Sequence, residues 1–381
     1  MALSTKPGRL VSPKFTLPEA TLPGNTAADT ENDAAASGFD ASPSTTAAAR
    51  SWRKAMKDAV RDPAELLRLL DLPTELLPAA ERAARAFGLF VPRGFVQRIR
   101  PGDPSDPLLR QVLPLEAELV DIAGFTSDPV GDGAAELVPG LLQKYESRAL
   151  LITTGACAVH CRYCFRRHYP YDTAPKSLAE WEPALEAIAA DPAIDEVILS
   201  GGDPWTLVDD VLAPLAARLA AVPHLRRLRV HTRLPIFIPE RVCDSLIAWF
   251  SKSAFAALGS KLAPICVVHA NHAAELSDDV AAALARLQQA GVLLLNQAVL
   301  LRGVNDSVAA LDELSRRLVD VGVTPYYLHQ LDRVAGAAHF EVPEAQGLRL
   351  IEGLRARLPG YAVPQYVRET AGATSKTPLV G

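Results

Sequence analysis

Cysteine is scarce in this 381-residue chain, with five residues, an odd number. So sparse a set excludes a disulfide framework and points to a reducing compartment. Long apolar runs are also missing. No stretch reaches the roughly 18 consecutive apolar residues of a membrane helix, and the N-terminus lacks the apolar core of a secretory signal. Excess positive charge is absent, since the net charge is −5, which speaks against a nucleic-acid partner. Nothing resembles an ATP-binding site. A cytoplasmic protein is expected. What is present is material for a sizeable core, with 49% hydrophobic and 22% charged residues, enough for one large domain or two ordinary ones.

Residues 1–50 are mostly Ala, Ser, Thr, Pro, Gly and Asp without periodicity, so they read as a disordered leader. From Trp52 the pattern is helical. Asp62-Pro63 opens one helix with a capping residue and a proline at the first position, and Pro78–Phe87 is a second. A helical N-terminal domain is expected over 51–140. Beyond it, apolar runs alternate with helical patterns. Strands are expected at Ala149–Thr153, Glu196–Ser200, Leu228–Thr232, Cys266–Ala270, Val292–Leu300 and Pro325–His329. Helices are expected near Leu178–Ala190, Val208–Ala221, Pro239–Phe250, Ser277–Ala290, Ser307–Val321 and Pro343–Leu358. Near-continuous apolar strands are those of a parallel sheet covered by helices. Six such units predict an α/β fold, a partial (β/α)6 TIM-like barrel over 141–360, with a C-terminal segment over 361–381. Chemistry in such folds gathers at the carboxyl ends of the strands, and polar residues stand at or near one end of every candidate strand.

Three of the five cysteines, Cys157, Cys161 and Cys164, follow the first of these strands at spacing C-x3-C-x2-C. Three thiolates on one loop can wrap a metal centre but leave a cubane iron–sulfur cluster one ligand short. An iron without a protein ligand is open to a small molecule. A structural zinc site, which wants four ligands, and plain buried thiols are the alternatives. Cys243 and Cys266 read as core residues. His269 and His272 read as ordinary hydrogen-bonding groups.

The cysteine spacing after the first strand resembles that of the radical S-adenosylmethionine enzymes. The longer string Cys161-Arg162-Tyr163-Cys164-Phe165-Arg166-Arg167 resembles the lysine 2,3-aminomutase family. So do Ser200-Gly201-Gly202-Asp203, Leu295-Asn296-Gln297, Arg302–Asp306, Pro325-Tyr326-Tyr327 and Ser375-Lys376-Thr377-Pro378. Pro139–Tyr145 and Gly336–Phe340 bring it nearest to the short form that serves modification of elongation factor P. The resemblance runs from about Trp52 to Thr377.

It implies an isomerase that converts L-α-lysine to (R)-β-lysine with a [4Fe–4S] cluster, S-adenosylmethionine and pyridoxal 5′-phosphate. Cys157, Cys161 and Cys164 would hold the cluster. Lys376 would form the Schiff base with pyridoxal phosphate, in a tail folded over the barrel mouth, since such a lysine needs a buried or cation-rich site. Lys144, Tyr145 and Arg148 would contact the same cofactor. Gly201, Gly202, Asp203, Gln297 and Arg233 would contact S-adenosylmethionine. Arg166 would take the substrate carboxylate in a two-pronged grip, with Asp332 and Glu369 on the ε-ammonium. Ala371–Ser375 departs from the glycine run that family members carry before the lysine, and Glu369 stands where catabolic members have aspartate. No cysteine-bearing tail follows Lys376, so no zinc is expected and the case for a tetramer weakens, although a homo-oligomer stays open. A reductant such as flavodoxin or ferredoxin, and a separate ligase placing β-lysine on elongation factor P, would be the partners. A free β-amino acid as product, and an iron–sulfur electron carrier or structural metal protein, are the other readings.

Overall fold

The computed structural model describes residues 51–380; the expected leader over 1–50 lies outside them. Ten strands form one sheet in sequence order: β1 (Glu136–Val138), β2 (Leu141–Tyr145), β3 (Arg148–Thr154), β4 (Glu196–Gly201), β5 (Arg227–Thr232), β6 (Ala263–Val268), β7 (Leu293–Val299), β8 (Thr324–His329), β9 (Gln365–Arg368) and β10 (Thr377–Pro378). β3 to β9 are parallel, while β1–β2, β2–β3 and β9–β10 pair antiparallel. The six expected strands are β3 to β8, and the sheet forms an open, partial barrel.

The near-continuous apolar runs conceal a period of two, as successive strand residues face opposite ways. Leu151, Leu199, Val230, Cys266 and Leu294 lie in register across five strands and are buried. On the other face stand Arg148, Ser200, Arg229, His231, Gln297, Tyr327 and His329, which line a cavity. Apolar packing therefore holds the outside of the barrel, and the inside is left for chemistry.

Helices connect the parallel strands, at Glu182–Ala190, Asp209–Ala220, Asp244–Trp249, Asp278–Gln289, Val308–Asp320 and Glu344–Arg355. Two differ from expectation. Pro183, tolerated only in a first turn, delays the start of the first to Glu182. The helix expected over Pro239–Phe250 is split, because Cys243 is extended (φ −102°, ψ 173°) and only Asp244–Trp249 is α-helical. Leu234–Phe237 and Lys252–Ala257 add short helices.

In the N-terminal segment, the Asp62 carboxylate accepts from Ala64 N at the head of Pro63–Leu69, and Asp106 caps Pro107–Arg110 in the same way. Leu66, Leu67, Leu108 and Leu109 are buried in a core that runs without a break from Trp52 through the strands to Leu379. This segment packs against the barrel through that shared core. No helix among the described residues is long and apolar enough to cross a membrane.

Candidate active site

A cavity of about 360 Å³ opens at the carboxyl ends of β3 to β8. Its wall includes the cysteine loop, the inward strand residues, and Glu369 and Lys376 from the C-terminal segment. Cys157 and Lys376, 219 positions apart in sequence, thus share one chamber. The tail reaches it because Thr377 pairs with Arg368 and Leu379 N donates to Tyr366 O at 2.8 Å.

The cysteine loop is pinned from two sides. On the barrel side, Gly202 N donates to Thr154 O at 2.7 Å and Asp203 N to Ala156 O at 2.8 Å. A β-carbon on Gly202 would sit 2.3 Å from the Ala156 carbonyl, so glycine is required for this approach of two backbones. Gly201, at φ +118°, needs glycine as well. On the other side, Arg162 is fully buried, donates to both oxygens of Glu118 at 2.9 and 2.7 Å, and reaches the carbonyls of Phe87 and Gly88. Arg167 shares the same carboxylate at 2.9 Å. One buried glutamate therefore holds the loop at two arginines. Burial, with neighbouring thiols second, pushes the Cys164 thiol up to about 11 and the Cys157 thiol well above its usual range. Three thiols on one loop lining one cavity suit a metal that replaces their protons, and their donor chemistry fits an iron–sulfur cluster.

Two residues expected at S-adenosylmethionine also carry dense hydrogen bonding within the protein. The Asp203 carboxylate accepts from Trp205 N, Thr232 Oγ1 and Arg233 N at 3.1, 2.7 and 2.6 Å. Burial raises it to about 6 against the pull of those bonds. Arg233 has all five N–H bonds occupied. They go to His269 O, Cys161 Sγ, the Tyr163 hydroxyl, Glu275 and Gln111. Both side chains line the cavity and at the same time organise the loop. Gln297 does face it, 2.7 Å from His269 Nε2.

The cationic side of the chamber is bridged by a residue the sequence did not single out. Asp132, buried, binds Arg166 Nε through one oxygen and Lys144 Nζ through the other, both at 2.7 Å. Ser200 Oγ accepts from Arg166 Nη1 at 3.1 Å. Three of the five guanidinium N–H bonds of Arg166 have no protein acceptor among the described residues. Asp132 sits in a turn-rich acidic stretch with no local signature; only the fold brings it to the two cations.

At the tail, the Glu369 carboxylate accepts from Lys376 Nζ and, at 2.7 Å, from the Tyr145 hydroxyl. The Arg148 guanidinium lies 4.3 Å from the Tyr145 ring centre and has no ion-pair partner among the described residues. Asp332 lines the cavity without a side-chain partner among the described residues, and burial lifts it to about 7 despite nearby Lys376. His231, His269 and His329 stand on the inner wall. Burial keeps all three neutral, His269 at about 3, and the Nε2 atoms of His231 and His329 have no partner among the described residues. Unpartnered polar atoms, a free guanidinium and a lysine in one chamber fit a phosphorylated, aldehyde-bearing cofactor. His272 faces away, capping the turn at Ala273–Glu275.

The profile of the Radical SAM superfamily matches residues 151–314. L-lysine 2,3-aminomutase of Escherichia coli K12 is 47% identical over 86% of this chain and 94% of its own length. The Haemophilus influenzae protein of the same name is 42% identical, over 86% and 95%. That of Clostridium subterminale is 33% identical, over 86% and 77%. The chain belongs to the L-lysine 2,3-aminomutase family, radical isomerases whose cofactors are a [4Fe–4S] cluster, S-adenosylmethionine and pyridoxal 5′-phosphate.

Proposed function

We propose that this amino-acid 2,3-aminomutase acts on L-α-lysine and forms β-lysine, as the (R) isomer. The observation that supports lysine is Asp332, a carboxylate raised to about 7 with no side-chain partner among the described residues, in the same chamber as the open edge of Arg166. A substrate with a carboxylate at one end and an ammonium at the other satisfies both. The cation restores the charge of Asp332, and the planar guanidinium grips the carboxylate.

The chain's own residues divide the work. Cys157, Cys161 and Cys164 would hold the cluster, with Gly201, Gly202 and Gln297 beside S-adenosylmethionine. Lys376, Tyr145, Arg148 and Lys144 would hold pyridoxal phosphate, with Arg148 for the phosphate. When bound, these cofactors supply the radical and the electron sink of the migrating amine. Asp132 fixes Arg166 and Lys144 relative to each other, so the substrate and cofactor grips share one pivot. Glu369 Oε2 accepts from Lys376 Nζ and so holds the tail lysine inside the chamber. The neutral histidines line the inner wall without adding charge.

The finer reading is that β-lysine is made for elongation factor P, with a separate ligase for attachment and flavodoxin or ferredoxin as reductant, in the cytoplasm. It is supported by the motifs at Pro139–Tyr145 and Gly336–Phe340 and by coverage of 94% and 95% of two shorter relatives. Anaerobic incubation of the loaded enzyme with lysine, S-adenosylmethionine and dithionite is expected to yield β-lysine. Turnover of glutamate but not lysine would overturn the substrate reading. A mass increase on elongation factor P only when enzyme and ligase are both present tests the finer one.

A further inference from the structure

Arg233 stands out among the buried cations. It is 8% exposed, and its Nη1 donates to Cys161 Sγ at 2.8 Å and also to the Tyr163 hydroxyl. Its position is fixed on every side. Glu275, fully buried, takes Nη2 at 2.9 Å through one oxygen. Its other oxygen accepts from Gln111 Nε2 and from the amides of Asn271 and His272, at 3.0, 2.8 and 3.0 Å. The Phe237 ring lies 4.5 Å from the guanidinium carbon. The carbonyl of His269 holds Nε at 3.1 Å. No rotamer change can withdraw this charge without breaking several buried bonds at once.

A cation fixed at a cluster thiolate has a definite electrical effect. One-electron reduction adds one negative charge to the cluster and its thiolates, with the electron taken from an external low-potential donor and no bond to the cysteines broken. A desolvated guanidinium that donates to one of those sulfurs stabilises the reduced form more than the oxidised one, and such bonds are among the levers that set cluster potentials. We propose that Arg233 is a positioning residue for the iron–sulfur centre. Through its N–H···S bond to Cys161 it raises the potential at which the cluster accepts an electron. Tyr163, which shares Nη1 and receives Asn271 Nδ2 at 2.6 Å, keeps the donor aimed at the sulfur.

The inference rests on Cys161 being a cluster ligand, so iron content is measured alongside. The reconstituted wild type, Arg233→Gln and Arg233→Lys are titrated anaerobically, with the EPR signal of the reduced cluster as readout. Arg233→Gln is expected to lower the midpoint by about 59 mV or more, a tenfold loss in the reduced-to-oxidised ratio for a one-electron couple. Arg233→Lys, which keeps charge without the planar fork, is expected to shift less in the same direction. An unchanged midpoint in an Arg233→Gln protein with full iron overturns the proposal. Where that variant does not retain iron, wild-type enzyme carrying arginine ¹⁵N-labelled in the guanidinium alone decides. A ¹⁵N hyperfine coupling to the reduced cluster supports the bond, and its absence overturns it. Absence of iron from the wild type would instead overturn the cysteine assignment.

Discussion

The Tyr145 hydroxyl donates to Glu369 at 2.7 Å while the other oxygen of that carboxylate holds Lys376, so β2 and the C-terminal segment meet through one acid. Burial alone would raise Glu369, but the Lys376 ammonium and the bonds from Lys376 and Tyr145 hold it below the usual carboxylate range. Its pairing therefore contributes stability above the unfolded carboxylate pKa and loses it as pH falls through the lower folded value. Glu369→Gln should remove that acid-side loss. Limited proteolysis of the tail should then show a weaker pH dependence below pH 5 than in the wild type. Lys376→Arg should leave tail protection intact and abolish the borohydride-fixed pyridoxal adduct; labelling at another lysine would refute the assignment.

Asp332 behaves in the opposite sense. Its folded value near 7 exceeds that of an unfolded aspartate, about 3.9, so the folded chain holds more protons between those values. Stability from this group falls as pH rises across that window. Asp332→Asn should therefore melt above the wild type at pH 8 and nearly with it at pH 4. The same change should reduce kcat/KM for lysine by about 30-fold or more, the roughly 2 kcal/mol or more that loss of one partner of a desolvated charge pair costs.

Gly202→Ala should disturb the cluster loop, because the new methyl would occupy the space of the Ala156 carbonyl. Iron content after anaerobic reconstitution is expected to fall by more than half. Cys164→Ala should lose the cluster and its brown absorbance. Retention of four irons by Cys164→Ala would exclude it as a ligand.

Glu118→Ala leaves Arg162 and Arg167 buried without their carboxylate. Removing one member of a buried ion pair costs roughly 3–5 kcal/mol. Chemical denaturation of the cofactor-free protein should show a loss of that order. A loss under about 1 kcal/mol would mean that backbone carbonyls suffice for the two arginines.

Much of this was readable in the chain. Six apolar runs bounded by helical periodicity predict β3 to β8, and the cysteine spacing and Ser375–Pro378 string lead to the two ends of the chamber. The strands that went unread are short or weakly patterned. β1 has no buried residue and β10 is two residues long, so neither carries an alternating signature. Within the site, Asp132, Glu118 and Glu275 act on arginines 34, 44 and 42 positions away. Such pairings have no local spacing to betray them. Arg233 and Asp203 line the chamber, as their place at strand ends suggests, while their hydrogen bonds to the loop and to Glu275 left no signal in local spacing.

The inward face of the barrel has one more implication. Arg148, His231 and His329 look into the chamber with groups left unpaired among the described residues, so part of the fold's hydrogen bonding is delegated to whatever enters. Occupancy and folding are then thermodynamically linked. A cofactor that binds only the folded chain adds about 2.7 kcal/mol at a hundred times its dissociation constant. The cell's supply of iron and pyridoxal phosphate would thereby set how long this protein survives, as well as how fast it works.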